Sequence, residues 1–209
     1  METVNDISNT RQRILEAAGA VFAEHGFRAA TVRKICKRAQ VNLAAVNYHF
    51  GDKEQLYLTL LKQSFGRIIQ KYPPDLGLQP GAAAGQQLYA FILSFLLRIL
   101  DEEHAGWYGK LMKREMLEPT PALNIFIEEA LRPLFNRLSG ILKEFLGQNI
   151  SEQELNLYKS SIVGQCIFYY CSRPVHSRLM PEQKYTRQDI ERLAKHITEF
   201  SLAGLNKVK

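Results

Sequence analysis

Thr31 to Leu56 is the stretch that most limits what this chain can fold into. Val32–Ala39 and Leu43–Phe50 each carry apolar residues at helical spacing, and only Gln40, Val41 and Asn42 part them. Thr31 suits the cap of the first window by accepting from the N–H near Lys34, and Asn42 suits the cap of the second. Ile35 and Ala39, with Val32 beside them, form the expected buried side of the first helix. Val41 is expected to plug the angle at the turn. Val46 and Phe50, four apart, are expected to face inward on the second helix. Leu43, Ala44, Ala45, Asn47, Tyr48 and His49 then face out. Two short helices joined by a tight turn make a helix-turn-helix, which places one helix in the DNA major groove. Small residues at the start of that helix let its backbone sit deep, and Asn and Tyr can reach base edges or phosphates.

Charge points the same way. The whole chain is +6, only mildly basic. Between Arg28 and Lys53 stand six basic residues (Arg28, Arg33, Lys34, Lys37, Arg38, Lys53) and one acid, Asp52, a local +5. Such asymmetry favours a polyanionic partner; by itself it also fits a solvated helical face.

These residues carry a resemblance to the TetR family of transcriptional regulators. The family pattern reads roughly Thr-x-x-x-Ile-Ala-x-x-Ala-Gly-Val-Ser, then Gly or Ala, Leu-Tyr-x-His-Phe, and soon Lys-Glu-x-Leu. Thr31, Ile35, Ala39, Val41, Ala44, His49, Phe50, Lys53, Glu54 and Leu56 match it. The likeness reaches back through Arg11–Ala18 and Phe22–Phe27, which resemble the family's first helix, so it covers about the first 60 residues. The chain departs from the pattern at three positions. Gln40 replaces the usual turn Gly and costs about 1 kcal/mol if the backbone there is left-handed. Asn47 stands where the family often has Tyr, and Cys36 replaces Ala. A further segment, Arg114–Pro121, with Gly164-Gln165-Cys166 later, is similar to the CecR-like subgroup.

The rest of the chain reads as helical, so the expected fold class is all-α: a three-helix helix-turn-helix module followed by a larger helical domain. The expected boundaries are a disordered tail at 1–9, the DNA-binding module at 10–55 and the second domain at 56–209. Asp52 suits the cap of a helix running from Lys53 to about Lys71, which Pro73 and Pro74 stop. Further helices are expected near Gly85–Leu100, Trp107–Leu117, Ala122–Leu146, Glu152–Cys171 and Arg187–Leu205. Pro133 is expected to kink or split the third of these. Ser172–Tyr185 reads as a loop. No period-two alternation bounded by turns suggests strands.

At 209 residues and 46% hydrophobic, the chain can bury a sizeable core. Met1–Asn9 is polar and does not read as a secretory leader. The longest apolar run, Leu88–Leu97, is interrupted by Ser94, ends at Arg98 and is too short to span a bilayer. Cys36, Cys166 and Cys171 are scattered and suggest no disulfide framework. We therefore expect a cytoplasmic protein with no membrane association. No phosphate loop, nucleophile elbow or His-Glu-x-x-His pattern supports an enzyme. No His or Cys spacing suggests a metal, and no cofactor is implied. Cys166 and Cys171, five apart, do not share a helix face; buried packing is the plainer reading beside a redox switch.

What the resemblance implies is a homodimeric repressor released from a palindromic operator by a small-molecule effector. The alternative is a DNA-binding dimer whose C-terminal domain is purely structural; a small-molecule binder with a vestigial helix-turn-helix is a third class. The expected partners are double-stranded operator DNA with an inverted repeat, a mostly apolar effector and a second copy of the chain. The expected DNA-contacting set is Thr31, Arg33, Lys34, Asn42, Leu43, Ala44, Ala45, Asn47, Tyr48, His49 and Lys53. Within it, Arg33, His49 and Lys53 are expected mainly to hold phosphates. Pocket candidates are Phe91, Phe95, Trp107, Tyr108, Met112, Arg114, Glu115 and Phe168, with ordinary core packing as the competing reading for the aromatics. An ion pair or exposure to water competes for Arg114 and Glu115. The last two long helices offer Ser160, Ser161, Gly164, Leu193, Ile197, Phe200 and Gly204 to a four-helix dimer interface. The helix from Lys53, stiff over about 28 Å, is read as the only covalent route between the modules. An effector that tilts it disturbs the spacing of about 34–36 Å between recognition helices.

Overall fold

The computed structural model describes residues 4–100, 107–182 and 184–206; the side chains of residues 4–8, 107 and 108 lie outside that description. The described residues hold helices and no strand. In chain order the helices are α1 (Val4–Ala29), α2 (Val32–Ala39), α3 (Leu43–Phe50), α4 (Lys53–Lys71), α5 (Ala84–Leu100) and α6 (Trp107–Leu117). There follow α7 (Ala122–Phe126), a π-helical turn (Ile127–Leu131), α8 (Arg132–Leu146), α9 (Glu152–Cys171), α10 (Arg173–Leu179) and α11 (Arg187–Asn206). None of these helices is long and apolar enough to cross a membrane.

The chain divides into two compact units, and the division is not the expected one at residue 55. The first is Met1–Arg67 together with His104–Ala130; the second is Ile68–Glu103 together with Leu131–Lys209. Three peptide connections therefore join the units, so α4 is not the only covalent route between them.

In the first unit, α1 packs on α2, α3 and α6. Its core takes Ile14, Ala18 and Phe22 from α1, Ile35 from α2 and Val46 from α3. Leu56, Tyr57 and Leu61 from α4, Leu111 from α6 and Phe126 from α7 complete it. α1 begins at Val4, inside the expected tail; the chain meets no Gly or Pro from there until Gly19. It breaks at Gly26, where φ 75 and ψ 168 lie in a region open essentially to glycine alone.

In the second unit α5 is the central helix. It is apolar on nearly every side and packs on α8, α9 and α11. Leu88, Ile92, Leu96 and Leu97 are all buried, with Leu138, Leu142, Leu155, Ile162 and Ala194 around them. A helix that is apolar all round belongs in a core.

Two prolines each stand in the first turn of a helix. Pro133 divides the expected helix 122–146: the π turn precedes it, and it sits in the first turn of α8, where its missing N–H costs nothing. Pro174 starts α10 inside the stretch read as a loop, because a proline in the first helical turn favours a helix rather than breaking it.

Candidate nucleic-acid interface

The turn motif assembles from side-chain caps. Thr31 is extended (φ −118, ψ 146), and its side chain accepts from Lys34 N at 3.3 Å. Ile35, Cys36 and Ala39 form the buried side of α2, which leaves Arg33, Lys34, Lys37 and Arg38 exposed. Asn42 caps α3 by accepting from Ala45 N at 2.8 Å. Between them Gln40 has φ 54 and ψ 47, a left-handed conformation that favours glycine. Arg13 steadies this turn from α1, donating to Ala39 O at 2.5 Å and Gln40 O at 3.1 Å. A cation over the last carbonyls of a helix answers its dipole. Val41 is half-buried at the angle.

α3 turns Val46 and Phe50 inward. Leu43 at 50% exposure and Tyr48 at 78% stand out, with Ala44 and Asn47 also exposed and Ala45 and His49 half-buried. Leu43, Ala44, Asn47 and Tyr48 follow the i, i+1, i+4, i+5 spacing of one helix face. An amide and a phenol on a ridge otherwise of small and apolar groups match base edges and thymine methyls. His49 lies beside Tyr48 and Phe50, with ring centroids 5.1 and 6.1 Å away.

Lys53 is engaged within the protein as well as standing near the expected DNA-facing set. Its ammonium donates to Phe27 O at 3.0 Å and Ala30 O at 3.2 Å and lies 4.4 Å from the centre of the Phe27 ring. It ties the start of α4 to the end of α1, so two of its three donors are held by the protein rather than left for phosphate. Arg38 lies 3.6 Å from Glu24. Burial pushes the Cys36 thiol above its ordinary range, so it packs like the alanine of the family pattern.

The expected pocket residues fall in both units. Met112, Arg114 and Glu115 belong to the first; Phe91, Phe95 and Phe168 belong to the second; the side chains of Trp107 and Tyr108 lie outside the described residues. Glu115 is 1% exposed and is held by Tyr57 and Thr120, and Arg114 donates to Glu24 O. Both are therefore engaged by the protein's own groups. Phe91 is buried and Phe95 half-buried on α5, but Phe168 is 52% exposed on α9 and does not line an interior. A groove of about 770 Å³ lies elsewhere in the second unit, between Met180 and Glu182 on one side and Asp189, Leu193, His196 and Glu199 of α11 on the other.

Of the expected interface residues, Ser160, Ser161 and Gly164 are exposed on α9, and Phe200 and Gly204 on α11; Leu193 is half-buried. Ile197 is 1% exposed and belongs to the subunit's own core. The apolar stripe of α11 is two-sided: Ile190, Ala194 and Ile197 face inward, and Phe200 faces out.

The sequence model described as "Bacterial regulatory proteins, tetR family" matches residues 14–60, and that described as "HTH-type transcriptional dual regulator CecR, C-terminal domain" matches residues 84–205. The chain belongs to the TetR family. It is 26% identical over 167 residues to the HTH-type transcriptional dual regulator CecR of Shigella flexneri, covering 76% of this chain and 74% of that protein. It is 27% identical over 209 residues to the HTH-type transcriptional repressor NicS of Pseudomonas putida, covering 95% and 93%. Its fold is similar to that of FadR from Bacillus subtilis, solved in complex with stearoyl-CoA, with TM-score 0.63, 25% identity and coverage of 92% and 98%.

As a TetR family member, the chain is a DNA-binding transcriptional regulator, and its relatives are regulators rather than enzymes. The sequence reading missed three side chains that this regulator uses or buries. Arg13 and Tyr57 carry no local signal, because their partners lie 26 and 58 residues away. Arg98 did carry one: it is a lone basic residue in an apolar helix, and it is buried.

Proposed function

We propose that the protein is a homodimeric repressor that binds an inverted-repeat operator with α3 and leaves it when a small amphipathic molecule enters the second unit. The observation that carries the DNA-facing part is the exposed ridge Leu43, Ala44, Asn47 and Tyr48, flanked by Arg33 and Lys34 on a well-capped α2. In this reading Thr31, Asn42 and Ala45 set the helix starts against the backbone of the duplex, and His49 and Lys53's remaining donor assist at phosphates. Repression is supported by the resemblance to NicS. A regulator of this kind works in the cytoplasm, where the DNA is.

Dimerisation is supported by a face without charge on α9, where Leu157, Ser160, Ser161, Gly164 and Phe168 are all exposed, and by Phe200 and Gly204 on α11. Small residues there permit close helix approach, and large exposed apolar residues mark a protein partner. The effector has an apolar body and an anionic group. Two observations support this: the stearoyl-CoA held by the FadR relative, and the buried guanidinium of Arg98 on α5 beside Phe95. The test is selection of binding sites from a random DNA pool, followed by titration of the complex with long-chain acyl-CoA. The expected result is a palindromic site and loss of binding at saturating ligand. Tight acyl-CoA binding with unchanged operator affinity defeats the effector assignment, because a ligand with equal affinity for both states shifts nothing.

A further inference from the structure

Tyr57 stands at a joint of the first unit. Its ring packs on Phe22 and Phe27 of α1, each with a centroid 4.9 Å away. Its hydroxyl donates to Glu115 Oε2 on α6 at 2.6 Å. The other oxygen, Glu115 Oε1, accepts from the backbone N–H and from the hydroxyl of Thr120, both at 2.8 Å. One buried carboxylate thus has three donors, drawn from α4 and from the turn between α6 and α7. Burial, then the hydrogen bond and charge of Glu115, push the Tyr57 phenol upward, so it remains a donor. Such bonds to an ionised acceptor are strong, and removing one donor leaves a buried charge under-satisfied.

The neighbouring residue works on the adjoining break in α1. Arg114 Nη2 donates to Glu24 O at 3.3 Å. Its guanidinium occupies the space left by the missing side chain of Gly26, where a Cβ would lie 2.5 Å from Nη1. Lys53 binds the start of α4 to the other side of the same break. The last turn of α6 therefore holds the end of α1 and the first half of α4 at once. α3 packs on α1 and α2 and is joined to α4 by Gly51 and Asp52, so a shift of the start of α4 against α1 reaches α3 through only two residues.

We propose that Glu115 is a positioning residue for the helix-turn-helix. Acting through Tyr57 and Thr120, it holds the DNA-competent setting of α3, and the α6–α7 turn is where that setting is released. Movement of the turn withdraws both Thr120 donors together; the buried carboxylate, left under-satisfied, is drawn toward water, and Tyr57 loses its acceptor. The grip is thus kept or lost as a unit. This assignment rests on the DNA-binding reading and adds the residues that control it. It replaces the expectation that Arg114 and Glu115 recognise the effector directly.

The test uses the full chain and a DNA fragment selected by the wild type from a random pool. Affinity is measured at fixed salt and at a temperature where circular dichroism shows every variant fully helical. Tyr57→Phe keeps the ring and removes only the hydroxyl. It is expected to bind about tenfold more weakly, as when the competent state falls to about a tenth of the population. Glu115→Ala is expected to bind at least as weakly, and Glu115→Gln, whose amide can still accept from Thr120, to lie between it and the wild type. The salt slope stays unchanged, because no phosphate contact is removed. A purely structural role lowers melting temperature but leaves these affinities at the wild-type value, and that outcome overturns the proposal. If the wild type selects no fragment, the DNA-binding reading itself has failed. Hydrogen exchange of the Val32–Phe50 amides then decides: faster exchange in Tyr57→Phe supports the positioning role, and unchanged exchange overturns it.

Discussion

The α2–α3 face and the α9–α11 face are both left open, but with opposite chemistry. On the first, Arg33, Lys34 and Lys37 flank Asn47 and Tyr48, and the inner side is closed by Ile35, Val46 and Phe50. On the second, Leu157 at 68%, Phe168 at 52% and Phe200 at 66% exposure stand among serines and glycines. A solvated protein surface tolerates single apolar residues, but three large ones along adjoining helices ask for a cover. Exposed polar groups with basic flanks ask for a polyanion. The first face suits the DNA that a regulator of this family binds, and the second suits the second copy proposed above, each from what it leaves uncovered.

Four measurements can break or sharpen that contrast. The largest effect is expected from Leu96→Ala, which hollows the core of the second unit and costs about 2–5 kcal/mol. Denaturant unfolding followed by hydrogen exchange is expected to show the loss in α5, α8, α9 and α11, with Val32–Phe50 protected as before. Equal loss in both units defeats the view that each face stands on its own core. Next, Phe200→Arg is expected to weaken dimerisation by about 2 kcal/mol or more, roughly thirtyfold. Sedimentation reads this directly, and a wild type that is already monomeric at micromolar concentration ends the second-copy reading. Third, Asn42→Ala removes the cap of α3 and is expected to cost the first unit about 1 kcal/mol, with no change in sedimentation. Last, Gln40→Gly relieves the left-handed turn. It is expected to raise the stability of the first unit by about 0.5–1 kcal/mol, an upper value because glycine also frees the unfolded chain. A fall in melting temperature instead shows that Gln40 contributes contacts that outweigh its backbone strain.

The α2–α3 face was legible because its determinants are local. Thr31 and Asn42 each cap within three residues, and Asp52 caps α4 by accepting from Gln55 N at 2.8 Å. The bounds of α4 and α9 followed from proline and serine stops. Where the determinants were distant, the sequence was silent. The carboxylate of Glu115 looked like a ligand group until Tyr57 and Thr120 were seen around it. Ile197 and Phe200 looked like one stripe until the helix was seen to bury one and expose the other. Lys53 matched a family position, but its motif could not reveal that Phe27 and Ala30 offered it two carbonyls. The proline of α10 misled because a proline that cannot sit inside a helix is well suited to its first turn.

The chain's return from the second unit to supply α6 and α7 to the first bears on how such regulators are recombined. A chimera cut after residue 55, exchanging one sensor for another, leaves Phe22 and Phe27 without Tyr57 and leaves the Gly26 break without Arg114. A graft that respects the architecture must carry Trp107–Phe126 with the reading head, as a second insert spliced into the foreign sensor. In engineering terms the protein is two interleaved parts, and its interchangeable cassette is discontinuous in sequence.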